Sequence, residues 1–307
     1  MGKIYVVGHK NPDTDTIVCA ITMADFLNKR DKTDIYEARM SGKPNSESEF
    51  IFNKFGIKFP AILEDAKGKQ LYLVDHNETS QYVAGAEVEN VVGILDHHKI
   101  NFENTKPIEI TTRPLGSSNS IVYCLFERHG LKLSNELKPL VLCAILSDTV
   151  ILKSPTTAAK DREIVGTLSK ELNIDYQQLG MEMFKAKSQI SEKSAEHIIY
   201  NDFKKFDFHG KKVGIGQVET PDLREIEKRV IEIKKKMEEI KEKDKYHSLV
   251  LMLTDIIEEG TKLIIVSKNP AAFAKIFNTR IKNNLTDFIP GMMSRKKQVV
   301  PMLIEKL

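Results

Sequence analysis

An α/β protein built on a mainly parallel sheet is predicted by three observations. Through the first half of the chain, short β-branched apolar runs alternate with helical patterns, the rhythm that lays strands side by side in one direction. Three of those runs end in acids and histidines: Ile4-Tyr5-Val6-Val7 before His9, Leu71-Tyr72-Leu73-Val74 before Asp75-His76, and Val91-Val92-Gly93-Ile94-Leu95 before Asp96-His97-His98. Beyond about residue 190 the pattern changes to a hairpin, an amphipathic helix and two more strands, which predicts a smaller α+β domain with a cleft between the two.

The first run is β-branched and aromatic and is closed by Gly8, as a buried strand is when a glycine turn ends it. Pro12 keeps Asn11 out of the helical region, and Ile17, Ala20, Ile21, Ala24 and Leu27 then recur at helical spacing. His9, Asp13 and Asp15 therefore fall in a strand-to-helix loop, where open α/β sheets place their ligands. A capped helix, with Asp13 or Thr14 as N-cap and His9 merely hydrogen-bonded, is the plainer alternative for this fragment alone. A second strand is expected at 35–39, and a helix runs from the capping box Ser46-Glu47-Ser48-Glu49 to about Gly56.

Helices are expected at 118–129 with Gly130 as the stop, from 134 to about 147, at 157–172, and onward to about 187. Asp148 ends the apolar second of these and can reach the edge where the strands finish. The polar stretch 185–193 marks the boundary, giving domains at 1–187 and 194–307 joined by a linker at 188–193. In the second domain, strands at 203–208 and 213–218 flank a His209-Gly210 turn. Thr220-Pro221-Asp222 then opens a helix with Leu223, Ile226, Val230, Ile233, Met237 and Ile240 on one face, and strands follow at 248–253 and 262–266.

At 307 residues the chain is long for one domain, and 41% hydrophobic with 29% charged residues describes an ordinary globular protein. A net charge of +3 makes no whole-chain case for nucleic acid. Cys19, Cys124 and Cys143 are odd in number and widely spaced, so they read as buried thiols of a reducing compartment rather than a zinc site or a disulfide frame. The apolar run 139–146 is too short to span a bilayer. A cytoplasmic protein without membrane or nucleic-acid partners is expected.

The C-terminal ends of parallel strands share one edge, so the polar strand-end residues converge there. The set is His9, Asp13, Asp15, Asp75, His97 and Asp148, with Asp96, His76 and His98 adjacent. Four carboxylates at one edge repel each other unless cations neutralise them. The mixed imidazole and carboxylate donors suit manganese or a relative. Two ions about 3.5–4 Å apart, with Asp75 central enough to bridge, would also hold a water acidic enough to be hydroxide at neutral pH. His98 is placed to donate to a leaving oxygen, or else to hydrogen-bond behind a ligand, and Asp96 to orient a ligand ring. In the second domain Arg295 can grip phosphate oxygens bidentately, with Lys204 and Lys296 as point charges.

Together Gly8-His-Lys-Asn-Pro-Asp-Thr-Asp15, Val74-Asp-His-Asn77, Leu95-Asp-His-His98, Ser147-Asp148 and Ser294-Arg-Lys-Lys-Gln298 resemble the DHH superfamily, and within it the family II, manganese-dependent inorganic pyrophosphatases. The resemblance runs from Lys3 to Pro301. It implies a DHH domain followed by a DHHA2-like domain, and an inorganic diphosphatase (EC 3.6.1.1) that hydrolyses pyrophosphate through a metal-bridging hydroxide. His9 and Asp13 would hold one ion, Asp15 and His97 the other, with Asp75 bridging and Asp148 completing the cluster. His98, Lys204, Arg295 and Lys296 would contact pyrophosphate, with neighbouring Lys205 as the rival for Lys204. A homodimer through the N-terminal domain is implied too, with two Mn2+ per subunit, Co2+ as the alternative metal, and an additional Mg2+ arriving with substrate left open. Competing readings are an exopolyphosphatase or an oligonucleotide phosphoesterase of the same superfamily, and a non-catalytic phosphate-binding regulator.

Overall fold

A computed structural model describes residues 2–188, 193–200 and 202–307. The chain divides into two units, one ending at Lys187 and one beginning at Ser188. Residues 189–192, most of the linker expected at 188–193, lie outside the described residues.

The first unit is built on a sheet of five parallel strands among the described residues, β1 (Ile4–Val7), β2 (Tyr36–Arg39), β3 (Gln70–Val74), β4 (Val91–Asp96) and β5 (Glu109–Thr112), in the order β2-β1-β3-β4-β5. In this order the connections reverse direction between β1 and β3, which opens a crevice at their carboxyl ends. The register makes those ends level: Val7 lies beside Leu73, and Val74 beside Leu95. Whatever follows Val7, Val74 and Leu95 is therefore brought together, although His9, Asp75 and His97 are far apart in sequence. Strand β5 was not foreseen, because Glu109-Ile-Thr-Thr forms an exposed sheet edge and carries little apolar signal.

Helix α1 (Thr14–Asp31) starts at Asp13, whose side chain accepts from the Thr16 amide at 3.0 Å. Helix α2 (Ser46–Phe55) ends at Gly56 in the left-handed region, as read from the sequence. Its cap differs: Asn45, not Ser46, accepts from the Ser48 amide, which frees Glu47 to turn into the protein. Helices α3 (Ser118–Arg128), α4 (Lys138–Asp148), α5 (Ala159–Leu172) and α6 (Tyr176–Ser188) complete the unit. Helix α4 starts after the expected 134, with Pro139 in its first turn. It is apolar all round because residues 140–146 are each at most 1% exposed. A helix so enclosed gives Asp148, at its C-terminal end, a fixed place.

The second unit carries a mixed sheet in the order Ile281–Lys282, Leu285–Thr286, Gly260–Ser267, Ser248–Asp255, Lys211–Thr220 and Lys204–Phe208, with Ile289–Pro290 beside Gly260–Ser267. After α7 (Ala195–Tyr200), strands β6 (Lys204–Phe208) and β7 (Lys211–Thr220) form the hairpin. Its turn residues His209 and Gly210 both have positive φ, 54° and 80°, as the favoured two-residue hairpin turn requires. The single helix expected after Asp222 is instead α8 (Leu223–Glu227) and α9 (Val230–Lys243), because Arg229 leaves the helical region at φ −103° and ψ 2°. Strands β8 (Ser248–Asp255) and β9 (Gly260–Ser267), helix α10 (Pro270–Ile276), the short strands β10 (Ile281–Lys282), β11 (Leu285–Thr286) and β12 (Ile289–Pro290), and helix α11 (Val300–Lys306) follow. One core lies on each face of this sheet, the first around Ile226, Ile233 and Leu251, the second around Val213, Phe273 and Val299. Among the described residues, no helix is long and apolar enough to cross a membrane.

Candidate metal centre

The strand-end residues of the first unit meet at the β1/β3 crevice. Ligand atoms of Asp15, Asp75, His97 and Asp148 all lie within 4.8 Å of one another, and so do those of His9, Asp13 and Asp75. Asp75 belongs to both groups. His9 Nε2 is 3.7 Å from Asp13 Oδ2 and 3.7 Å from Asp75 Oδ2. On the other side, His97 Nε2 is 3.4 Å from Asp75 Oδ1 and 3.5 Å from Asp148 Oδ2. The two carboxylate oxygens of Asp75 thus face different imidazoles. Asp75 reaches this position with φ at 61°, a left-handed conformation uncommon for a residue with a Cβ.

The hydrogen-bond chemistry of both rings leaves a nitrogen on each free to face a cation. Nδ1 of His9 lies 2.9 Å from the Lys10 carbonyl, and Nδ1 of His97 lies 2.9 Å from the Leu115 carbonyl. A carbonyl only accepts, so each Nδ1 carries a proton and each ring turns its Nε2 toward carboxylate oxygens. His97 Nε2 is buried and has no hydrogen-bond partner among the described residues. The separations of 3.4–3.7 Å between each Nε2 and its carboxylate oxygens leave room for a shared cation. Metal-ligand distances of about 2.0–2.2 Å place neighbouring donors roughly 3–3.6 Å apart around a common ion. The donor set, imidazole with carboxylate, suits manganese.

Electrostatics agree with geometry. Burial, with the charges of Asp15 and Asp13 next, pushes the Asp75 carboxyl well above the ordinary carboxylate range. Burial followed by the charges of Asp15 and Asp75 does the same to Asp148. For His9, burial works downward, yet the Asp13 carboxylate, the Lys10 carbonyl and the Asp15 charge together leave the imidazole above its ordinary pKa. Without a metal, this cluster recruits protons to relieve the repulsion among its acids.

The acids are gripped from behind. Asp15, fully buried, accepts from the Ser117 hydroxyl, from the Ser118 amide at 2.8 Å and from Asn119 Nδ2 at 2.8 Å. Asp75 accepts from Thr16 Oγ1 at 2.6 Å and from Ser118 Oγ at 2.8 Å. Ser117, Ser118 and Asn119 stand at the start of α3, where unsatisfied amides and the positive helix end favour carboxylates, and Thr16 stands in the first turn of α1. Sequence reasoning passed over Ser117, Ser118 and Asn119. Their only signal was a run of small polar residues at a helix start, which also reads as ordinary capping.

His98 is the exposed member of the set, with 58% of its side chain open to solvent. Its Nδ1 donates to Asp96 at 2.9 Å, and this hydrogen bond, against burial, raises its pKa above the ordinary value. Asp96 was expected to orient a ligand ring; the ring it holds is that of His98, with Asn77 donating to its second oxygen at 2.6 Å. His76 is buried, donates Nδ1 to the Val74 carbonyl, and is pushed down to about 4 by burial, so it stays neutral. A cavity of about 710 Å³ opens over His9, Asp13, Asp75, His97, His98 and Asp148.

The basic residues Lys204, Arg295 and Lys296 belong to the second unit. Ser294 caps the turn at Arg295–Val299, and Gln298 accepts from the Met293 and Ser294 amides at 2.8 Å each. The first and last residues of Ser294-Arg-Lys-Lys-Gln298 are therefore scaffold for the cations between them. Arg295 is paired with Asp202, Nη2 lying 3.0 Å from Oδ1 and 2.9 Å from Oδ2. Lys204 stands opposite Ile215 on the sheet face that holds Val299, whereas Lys205 stands opposite Gly214 on the other face. Strand alternation thus puts Lys204, rather than Lys205, on the side of Arg295–Val299.

A level strand edge that gathers histidines and aspartates, followed by a second α+β unit, defines a DHH-type protein. Residues 3–145 match the DHH family, N-terminal domain, and residues 181–306 match the DHHA2 domain. A manganese-dependent inorganic pyrophosphatase of Methanocaldococcus jannaschii is 44% identical over 308 residues, covering 97% of each chain. Another, from Methanothrix thermoacetophila, is 42% identical over 304 residues, covering 98% of this chain and 97% of that one. The chain belongs to the family of manganese-dependent inorganic pyrophosphatases. A crystal structure of a candidate family II inorganic pyrophosphatase from Methanococcus jannaschii matches with TM-score 0.63 and 41% identity over 99% of both chains. An exopolyphosphatase-related protein of Bacteroides fragilis shares the fold at 16% identity and TM-score 0.51, covering 99% of this chain and 92% of that one.

Proposed function

We propose that this chain is a manganese-dependent inorganic pyrophosphatase, hydrolysing diphosphate to two phosphates at the strand-end cluster. The observation that carries the reading is the sharing of Asp75 between two ligand groups. The family supports it, since relatives with this name align over 97–98% of the chain. His9 and Asp13 would hold one ion, Asp15, His97 and Asp148 a second, with Asp75 common to both. Two Mn2+ per subunit follow, Co2+ being the nearest substitute and a further Mg2+ the natural companion of the substrate.

Bound manganese supplies positive charge for the phosphate oxygens and acidifies a water. The chain's own residues do the rest. Ser117, Ser118, Asn119 and Thr16 fix the carboxylates, so the site is ordered before substrate arrives. Asp96 holds His98 through Nδ1, leaving Nε2 to donate a proton to the departing phosphate. Arg295, Lys204 and Lys296 neutralise the phosphate oxygens and orient them. We also propose a homodimer through the first unit, supported by the open edge of β5 with Ile110 exposed. A cytoplasmic location is supported by three free buried cysteines.

The test is phosphate release from pyrophosphate, triphosphate and a dinucleotide with Mn2+ present, together with bound-metal analysis. Pyrophosphate should be cleaved fastest, and Asp75→Asn should lose most activity together with bound Mn2+. Arg295→Ala should raise KM strongly with Mn2+ still bound. Faster turnover of triphosphate or the dinucleotide would overturn the substrate assignment, and full metal content in Asp75→Asn would overturn the bridging role.

A further inference from the structure

Glu47 is a fully buried carboxylate outside the proposed ligand set, and nothing in the hydrolysis described above uses it. Burying such a group is costly unless it is paired and hydrogen-bonded, so its partners define its task. Oε1 accepts from Thr14 Oγ1 at 2.7 Å, across 33 residues, and from the Ser147 hydroxyl, across 100 residues. Thr14 lies between Asp13 and Asp15, and Ser147 immediately precedes Asp148. Thr14 Oγ1 also meets Ser48 Oγ at 3.1 Å, which closes the contact on α2. The second oxygen, Oε2, has no hydrogen-bond partner among the described residues and faces the Lys187 ammonium at 3.5 Å.

We propose that Glu47 is a positioning residue for the metal centre: one oxygen ties the first turn of α1 to the last turn of α4, fixing the distance between Asp13 and Asp15 on one side and Asp148 on the other. The inference rests on the reading of those three aspartates as ligands. Asp148 sits at the end of its helix, and Asp13 and Asp15 at the start of theirs, so a small rotation of either helix would open the ligand group. A hydrogen-bond acceptor placed between the two ends resists that rotation. Lys187 stands 3.5 Å from the other oxygen and supplies its counter-charge.

The experiment measures Mn2+ affinity by equilibrium dialysis, with thermal unfolding of the same samples in EDTA. Outer partners of metal ligands typically change affinity by about 10–100-fold, so Glu47→Ala should weaken Mn2+ binding by at least about tenfold. Glu47→Gln retains an oxygen that accepts from both hydroxyls and should restore most of that loss. A purely structural carboxylate would instead lower the EDTA unfolding temperature in both variants and leave the affinity of the folded fraction unchanged. Should Glu47→Ala not fold, Ser147→Ala carries the test, because it removes one donor and keeps the carboxylate; it should weaken Mn2+ several-fold. Unchanged affinity in Glu47→Ala or Ser147→Ala, or a Gln variant as weak as the Ala variant, overturns the proposal. Wild-type protein and Asp75→Asn run alongside: if Asp75→Asn binds Mn2+ like wild type, it is the ligand reading that fails.

Discussion

His97 and His98 are adjacent in sequence yet do opposite things. His97 donates Nδ1 to the Leu115 carbonyl and points Nε2, which has no hydrogen-bond partner among the described residues, at Asp75 and Asp148, whereas His98 donates Nδ1 to Asp96 and remains largely exposed. A neutral ring with a free lone pair is a ligand; a ring held by a carboxylate keeps a proton to give. The two rings meet edge to face at 4.2 Å between centroids, so neither can swing without moving the other. Replacing His98 by Gln should therefore leave Mn2+ affinity near that of wild type and lower kcat on pyrophosphate by about 10²–10⁴-fold, the usual contribution of a positioned proton donor. Stopped-flow phosphate release at saturating Mn2+ checks this. A fall in metal content matching the fall in rate would make His98 a ligand instead.

The level ends of β1, β3 and β4 depend on tight packing inside the sheet. Gly93 of β4 lies beside Tyr72 of β3, and a Cβ at Gly93 would stand 2.2 Å from the Tyr72 ring, itself 2% exposed. The ring has no room to retreat in a close-packed core. Gly93→Ala should thus destabilise the protein by about 1–3 kcal/mol, read as a lower urea midpoint, with a further loss of Mn2+ affinity because His97 directly follows the end of this strand. An unchanged midpoint would show that Tyr72 can shift. The strands and their polar ends were legible in the sequence because apolar runs stop abruptly at charged residues. What could not be read was the support between elements. Ser117 and Ser118 serve residues 102 and 43 positions away, and Glu47 serves Ser147 across 100, distances at which periodicity carries no information. Glu47 even carried a misleading local signal, since Ser46-Glu47-Ser48-Glu49 matches a capping box while Asn45 is the cap that forms. Strand β5 escaped for the opposite reason: an edge strand buries too little to be patterned.

At the scale of the molecule, the cluster sets the acid stability of the metal-free protein. Asp75 and Asp148 have folded-state pKa values well above the ordinary 3.8, chiefly through burial and then through each other's neighbours. The metal-free fold therefore holds protons that the unfolded chain has released. Stability from these groups is fully present below the ordinary carboxylate pKa and is lost as pH rises through the raised folded values. Manganese takes the place of those protons, and since it binds only the folded site, about 100-fold excess over Kd adds about 2.7 kcal/mol. In EDTA, the calorimetric unfolding temperature should thus fall from pH 5 to pH 8 more steeply for wild type than for Asp148→Asn, which cannot ionise at that position. Adding Mn2+ should raise the wild-type midpoint most at pH 8, where proton competition for the ligands is weakest. Parallel pH profiles for wild type and Asp148→Asn in EDTA would mean that the repulsion is relieved elsewhere, and an Mn2+ shift larger at pH 5 than at pH 8 would contradict a site made of competing carboxylates.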